Sequence, residues 1–75
     1  MIIRYDPEAD ALSIVFKETT VTNQSVQEGV AVEFDGEGHL AGIEILDAVK
    51  RFGGRQTLQQ IVLEQVATGG ALEAV

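Results

Sequence analysis

Between residues 2 and 46, apolar positions alternate with polar ones in short runs separated by turn residues, the pattern of half-buried strands. Ile2–Asp6 predicts a first strand with Ile3 and Tyr5 on one face. Pro7-Glu8-Ala9-Asp10 predicts a reversal, since proline fixes φ for a turn and Asp6 accepts backbone N–H bonds within it. Ala11–Lys17 predicts a second strand, Leu12, Ile14 and Phe16 facing one way and Ser13, Val15 and Lys17 the other. Glu18–Glu28 is polar and β-branched and predicts a loop, with room for a short edge strand near Val21 or Val26. Val30–Phe34 is a third strand, and Asp35-Gly36-Glu37-Gly38 holds the glycines that tight hairpin loops demand. In the fourth strand, His39–Leu46, the alternation breaks at Ala41-Gly42. Leu40 falls opposite Ile43 and Ile45 unless one residue is extra, and a β-bulge at Gly42 would return all three to one face.

The period then changes. Asp47-Ala48-Val49-Lys50-Arg51 predicts one helical turn with its charges placed to suit the helix dipole. After Phe52 and the break at Gly53-Gly54, Thr57-Leu58-Gln59-Gln60 matches a capping box. Leu58, Ile61, Val62 and Val66 follow at helical spacing, Leu63 and Ala67 widen the stripe, and Gly69-Gly70 end it. The expected architecture is α+β: a four-stranded antiparallel meander with a C-terminal helix packed on or beside the sheet. It forms one domain over residues 1–70, with 71–75 a frayed tail.

A chain of 75 residues buries only about 60% of the surface its unfolded form exposes, so its own core leaves it marginally stable. Small domains recover stability through disulfides, metals or association. With no cysteine, disulfides and thiolate metal sites are excluded, and the single histidine builds no imidazole cluster. Association is the remedy left, and a homodimer is the expectation. No export signal follows Met1 and no apolar run approaches a membrane span, so the expected location is the cytoplasm. The net charge is −7, unevenly spread: residues 1–49 carry ten acids against Arg4 and Lys17, whereas Lys50, Arg51 and Arg55 cluster beyond them. Phosphate backbones repel such a surface, which argues against direct nucleic-acid binding and suits a basic protein partner.

Candidate chemistry is sparse. Asp6, Glu8 and Asp10 share one turn, and Glu44 and Asp47 lie near the end of the last strand. Convergent carboxylates bind Mg²⁺ or Ca²⁺, but this spacing matches no calcium loop, and turn capping by Asp6 and Asp10 explains the first group. Glu44 stands between Ile43 and Ile45; on the opposite face it would be solvated or paired with Arg4 or Lys17. His39 reads as an exposed hairpin residue, and Ser13 and Ser25 sit in no nucleophile pattern. Gly36-Glu37-Gly38 and Gly53-Gly54 lack the lysine and context of a phosphate loop. Lys50, Arg51 and Arg55 read as a solvated helix end or a contact for an acidic patch. No catalytic, cofactor or metal residue is assigned.

Ile3-Arg4-Tyr5-Asp6-Pro7-Glu8-Ala9-Asp10-Ala11-Leu12, Gly29-Val30-Ala31-Val32-Glu33-Phe34-Asp35-Gly36-Glu37-Gly38 and Gly42-Ile43-Glu44-Ile45-Leu46-Asp47-Ala48 together resemble the short prokaryotic proteins grouped as domain of unknown function 2283. The resemblance covers about residues 2–50. It implies a compact single sheet, offers no catalytic residue to carry over, and implies an antitoxin role as one version of partner binding. Ser13 departs from it, where such proteins commonly carry an aromatic residue, and the segment from Thr57 onward lies beyond it. The expected function is therefore a non-enzymatic protein-interaction module acting as a homo-oligomer. The alternative is a divalent-metal or small-ligand site, hydrolytic in its sharpest form, built from Asp6, Asp10, Glu44 and Asp47. A DNA-mimicking acidic surface is a third reading.

Overall fold

The computed structural model describes residues 1–64. Five strands are present: β1 Ile2–Asp6, β2 Ala11–Val15, β3 Asn23–Gln27, β4 Val30–Phe34 and β5 Leu40–Ile45. A short helix, α1 Ala48–Phe52, and a single 3₁₀ turn, Arg55–Leu58, follow. The fold is α+β, with one fully antiparallel sheet in the order β1-β2-β5-β4-β3.

Two expectations about the sheet are corrected. There are five strands rather than four, and the order is not a meander. The chain leaves β2, crosses one end of the sheet, and returns through β3, β4 and β5, so that β5 fills the gap beside β2. That is a Greek key. The fifth strand is the edge strand anticipated near Val26. It carries little period-two signal because Asn23, Ser25 and Gln27, the residues opposite Phe34, Val32 and Val30, are all polar. Its hairpin to β4 turns at Glu28 and Gly29, both with positive φ (50° and 80°), the two-residue geometry that matches the natural twist of the strands.

The anticipated bulge is present, displaced by one residue. Glu33 pairs with Gly42 but Phe34 pairs with Leu40, leaving Ala41 as the extra residue. The shift puts Leu40 on the face of Ile43 and Ile45. The freed Ala41 carbonyl accepts hydrogen bonds from the Phe16 and Lys17 amides, 2.9 and 3.5 Å, tying the crossover segment down. Gly42 has a separate reason to be glycine: a Cβ there would lie 2.8 Å from the Ile14 carbonyl oxygen and 3.0 Å from Glu33 Oε1. Gly42→Ala is expected to destabilise the fold by about 1–3 kcal/mol, because the clash is with a central strand's backbone. Urea denaturation checks this; an unchanged midpoint would refute the close packing of β2 on β5.

The C-terminal helix is also corrected. The anticipated single turn at Asp47 forms as α1, with Lys50 and Arg51 in its last turn and Gly53 at its C-terminus with φ 79°. From Thr57, however, no α-helix forms within the described residues. Thr57 lies inside the 3₁₀ turn, its side chain caps nothing, and residues 59–64 adopt no regular structure. Isolated helices of this length do not offset their nucleation cost without packing partners. The remaining stripe residues Val66 and Ala67, the stop at Gly69-Gly70 and the tail 71–75 lie outside the described residues. No described helix is long and apolar enough to cross a membrane.

The sheet has two unlike faces. Ile3, Tyr5, Leu12, Ile14, Ile43, Ile45, Val30 and Val32 share one, as their pairings require. The other carries Arg4, Ser13, Glu44, Glu33 and Gln24 over a floor of Ala11, Ala31 and Gly42, with Ile2, Val15 and Val26 toward its edges. Among the described residues the only buried apolar side chains are Ala31, Ala41 and Ala48. Every larger apolar side chain among them retains solvent contact.

Candidate functional site

Four places bring chemically useful groups together. At the end of the sheet that holds α1, Asp6 Oδ1 accepts the Glu8 and Ala9 amides at 3.0 and 3.4 Å, the expected turn cap around Pro7. Asp10 acts differently. It sits at φ 50°, accepts the Tyr5 hydroxyl at 2.6 Å and the Val49 amide at 3.1 Å on its Oδ1, and its carbonyl accepts the Ala48 amide at 3.0 Å. One residue thereby fastens the β1–β2 turn to the start of α1. The bond to Asp10 raises the Tyr5 pKa, since losing the phenolic proton would lose that bond beside a carboxylate.

At the opposite end, Asp35 is a buried carboxylate that the pattern of the chain alone did not reveal. Its Oδ1 accepts the Glu37 and His39 amides, each at 2.9 Å, and its Oδ2 meets Lys17 Nζ at 2.5 Å. His39 itself is exposed, its ring nitrogen 3.8 Å from the same carboxylate. The Lys17 hydrogen bond and the two amides hold the Asp35 pKa down to about 2. Lys17 thus clamps the crossover onto the β4–β5 hairpin instead of pairing with Glu44. A carboxylate ordinarily near pH 4 when unfolded and near 2 when folded stabilises the fold above pH 4 and withdraws that stability as pH falls from about 4 to 2. Asp35→Asn is therefore expected to lower the melting temperature at pH 7, with the gap to the wild type closing over that acid range. A gap constant from pH 7 to 2 would refute the clamp.

The third place is the polar face. Arg4, Asp6, Ser13 and Glu44 border a shallow groove of about 560 Å³ that Ala11 and Leu46 also line. Glu44 points away from Ile43 and Ile45, as expected, and is half-buried between its cross-strand neighbours Ser13 and Ala31. Arg4 forms no ion pair with it among the described residues. The fourth is an apolar groove of about 300 Å³ where Phe52, Leu58 and Ile61 approach Ile3, Leu12 and Ile14.

Asp6 and Asp10 are engaged separately, Glu44 lies on the polar face, and Asp47 stands at φ 52° before α1 without a side-chain cap bond. Among the described residues no three His, Asp or Glu side chains lie close enough together to hold a metal ion. Lys50, Arg51 and Arg55 form no ion pair there either; Arg51 Nε donates to the Leu46 carbonyl at 2.8 Å.

The model of the family described as "Protein of unknown function (DUF2283)" matches residues 2–48. The chain belongs to this family. The matched segment of DUF2283 coincides with the five strands and stops at Ala48, the fully buried first residue of α1. The Asp10 and Asp35 fastenings lie within it; the apolar residues Phe52, Leu58 and Ile61 lie beyond it. No curated protein and no solved structure matches the chain.

Proposed function

We propose that this DUF2283 protein is a non-enzymatic interaction module that works as a homo-oligomer, two copies packing their apolar sheet faces together. One observation carries the reading. The sheet collects most of its large apolar residues, Ile3, Leu12, Ile14, Ile43, Ile45, Val30 and Val32, on one face, yet none of them is buried among the described residues. A sheet with one apolar face needs a second layer. α1 sits at the end of the sheet, and the segment around Leu58 and Ile61 reaches only the β1–β2 side. Five strands at ~4.8 Å spacing and five residues at ~3.4 Å rise make a face of roughly 24 by 17 Å. That falls short of the ~800 Å² per partner of a standard interface. Ile61, exposed where it approaches Ile3 and Leu12, supplies further apolar area at its margin. Two-fold packing of such faces gives a self-complementary interface.

Such a pair turns its acidic faces outward. Glu33 and Glu44, with the carboxylates that dominate residues 1–49, then favour a basic protein as the second partner, and toxin neutralisation is the sharpest version of that role. Light scattering coupled to gel filtration tests the assembly: at least two chains per particle are expected, and a folded single chain at all concentrations would sink it. For the partner, titration with a lysine-rich peptide is expected to move the amide resonances of Ala31 and Glu44 and to spare Val32. Shifts confined to other regions would remove the acidic face from the account.

A further inference from the structure

The two edges of the sheet are protected unequally. β1 carries Arg4 and Asp6 and runs into Pro7, the devices by which edges resist pairing. β3 has none of them. Asn23-Gln24-Ser25-Val26-Gln27 contains no charge and no proline, and the uncharged stretch extends from Thr19 to Gln27 in an otherwise acidic chain. All five β3 residues are exposed, and Val26, a β-branched strand former, is 63% exposed.

Hairpin geometry says which backbone groups are free. The two-residue turn at Glu28-Gly29 makes Gln27 and Val30 its closing hydrogen-bonded pair. Hydrogen-bonded and non-hydrogen-bonded pairs then alternate, so Ser25 and Asn23 also bond to β4. Gln24 and Val26 accordingly direct their N–H and C=O groups outward. We infer that β3 is a second self-association edge, pairing antiparallel with β3 of another copy about a two-fold axis at Ser25. In that register Gln24 of each strand meets Val26 of the other, and each pair exchanges both backbone bonds. Ser25 faces Ser25 at the non-bonded centre, and Asn23 faces Gln27, an amide beside an amide. Glu28 falls opposite Thr22, so no like charges meet directly, which matters between copies that each carry −7. A second copy fits this edge better than a basic strand because none of its side chains offers a charge to read.

The inference is independent of the face-to-face contact proposed above. A Val26→Pro substitution removes an outward N–H without touching the bonds to β4, and Val26→Lys places a charge on the edge. The test is sedimentation equilibrium of the full chain and both variants over a dilution series, with circular dichroism to confirm the fold. Both variants are expected to halve the particle mass, from four chains to two where the faces also pair, or from two to one where they do not. Folded variants with the wild-type mass would overturn the edge contact. Ile14→Glu reports on the face contact instead: if it leaves the mass of a folded protein unchanged, the face reading falls and the edge inference stands on its own result.

Discussion

Substituting Ile43 by lysine is expected to destabilise the protein by about 3–5 kcal/mol, enough to remove most of a small domain's stability. Ile43 stands on β5, the central strand, with Ile14 on one side and Val32 on the other. Lysine there loses the half-buried isoleucine's packing against Ile14 and Val32 and brings an ammonium into the space that a second sheet must fill. The adjacent Glu44→Lys provides the control. It points to the solvated face and is expected to change stability by no more than about 0.5 kcal/mol. Urea denaturation of the pair, read beside particle mass, separates the faces. Equal tolerance at both positions would mean that neither face is a contact surface.

Asp10→Ala carries the other large effect, about 2–4 kcal/mol. The substitution strips the acceptor from the Tyr5 hydroxyl and the Val49 amide, and leaves a residue with a Cβ at φ 50°. Asp10→Gly separates the two contributions, since glycine adopts that φ freely but restores neither bond. It is expected to be less damaging than alanine and still clearly destabilised. Tyr5→Phe removes only one of the bonds and is expected to be milder than either. If alanine, glycine and phenylalanine variants all melt with the wild type, the fastening of the turn to α1 contributes nothing.

Four of the five strands could be read in the chain because their inward residues are apolar at alternate positions. β3 gives almost no such signal: Asn23, Ser25 and Gln27 point to the same side as Phe34, Val32 and Val30 without sharing their chemistry. Strand order is a long-range property, so the insertion of β5 between β2 and β4 left no mark in the local pattern. The irregularity at Ala41-Gly42 was legible as a bulge, because a single extra residue is what reconciles Leu40 with Ile43 and Ile45. At Thr57 a capping pattern and an apolar stripe describe what a helix would need but not what would hold it.

The candidate sites divide the same way. Asp6 was legible because its acceptors lie two and three residues away, beside a proline. Asp10 reaches Val49, 39 residues on, and Asp35 meets Lys17 from a different hairpin. Residue type and neighbours mark Asp35 as a turn former; only the crossover of the chain turns it into a clamp. Glu44 shows the limit of reading function from a single carboxylate. Its face follows from the strand period, but its neighbours Ser13 and Ala31 come from pairing.

If sheet and partner fold as one unit, stability must depend on protein concentration, since dilution favours the separated, unfolded chains. The decisive measurement is the thermal unfolding midpoint followed by circular dichroism across a hundredfold dilution. A midpoint that falls steadily with dilution is the expected result. One that stays fixed, with a cooperative transition from a single folded chain, would contradict it.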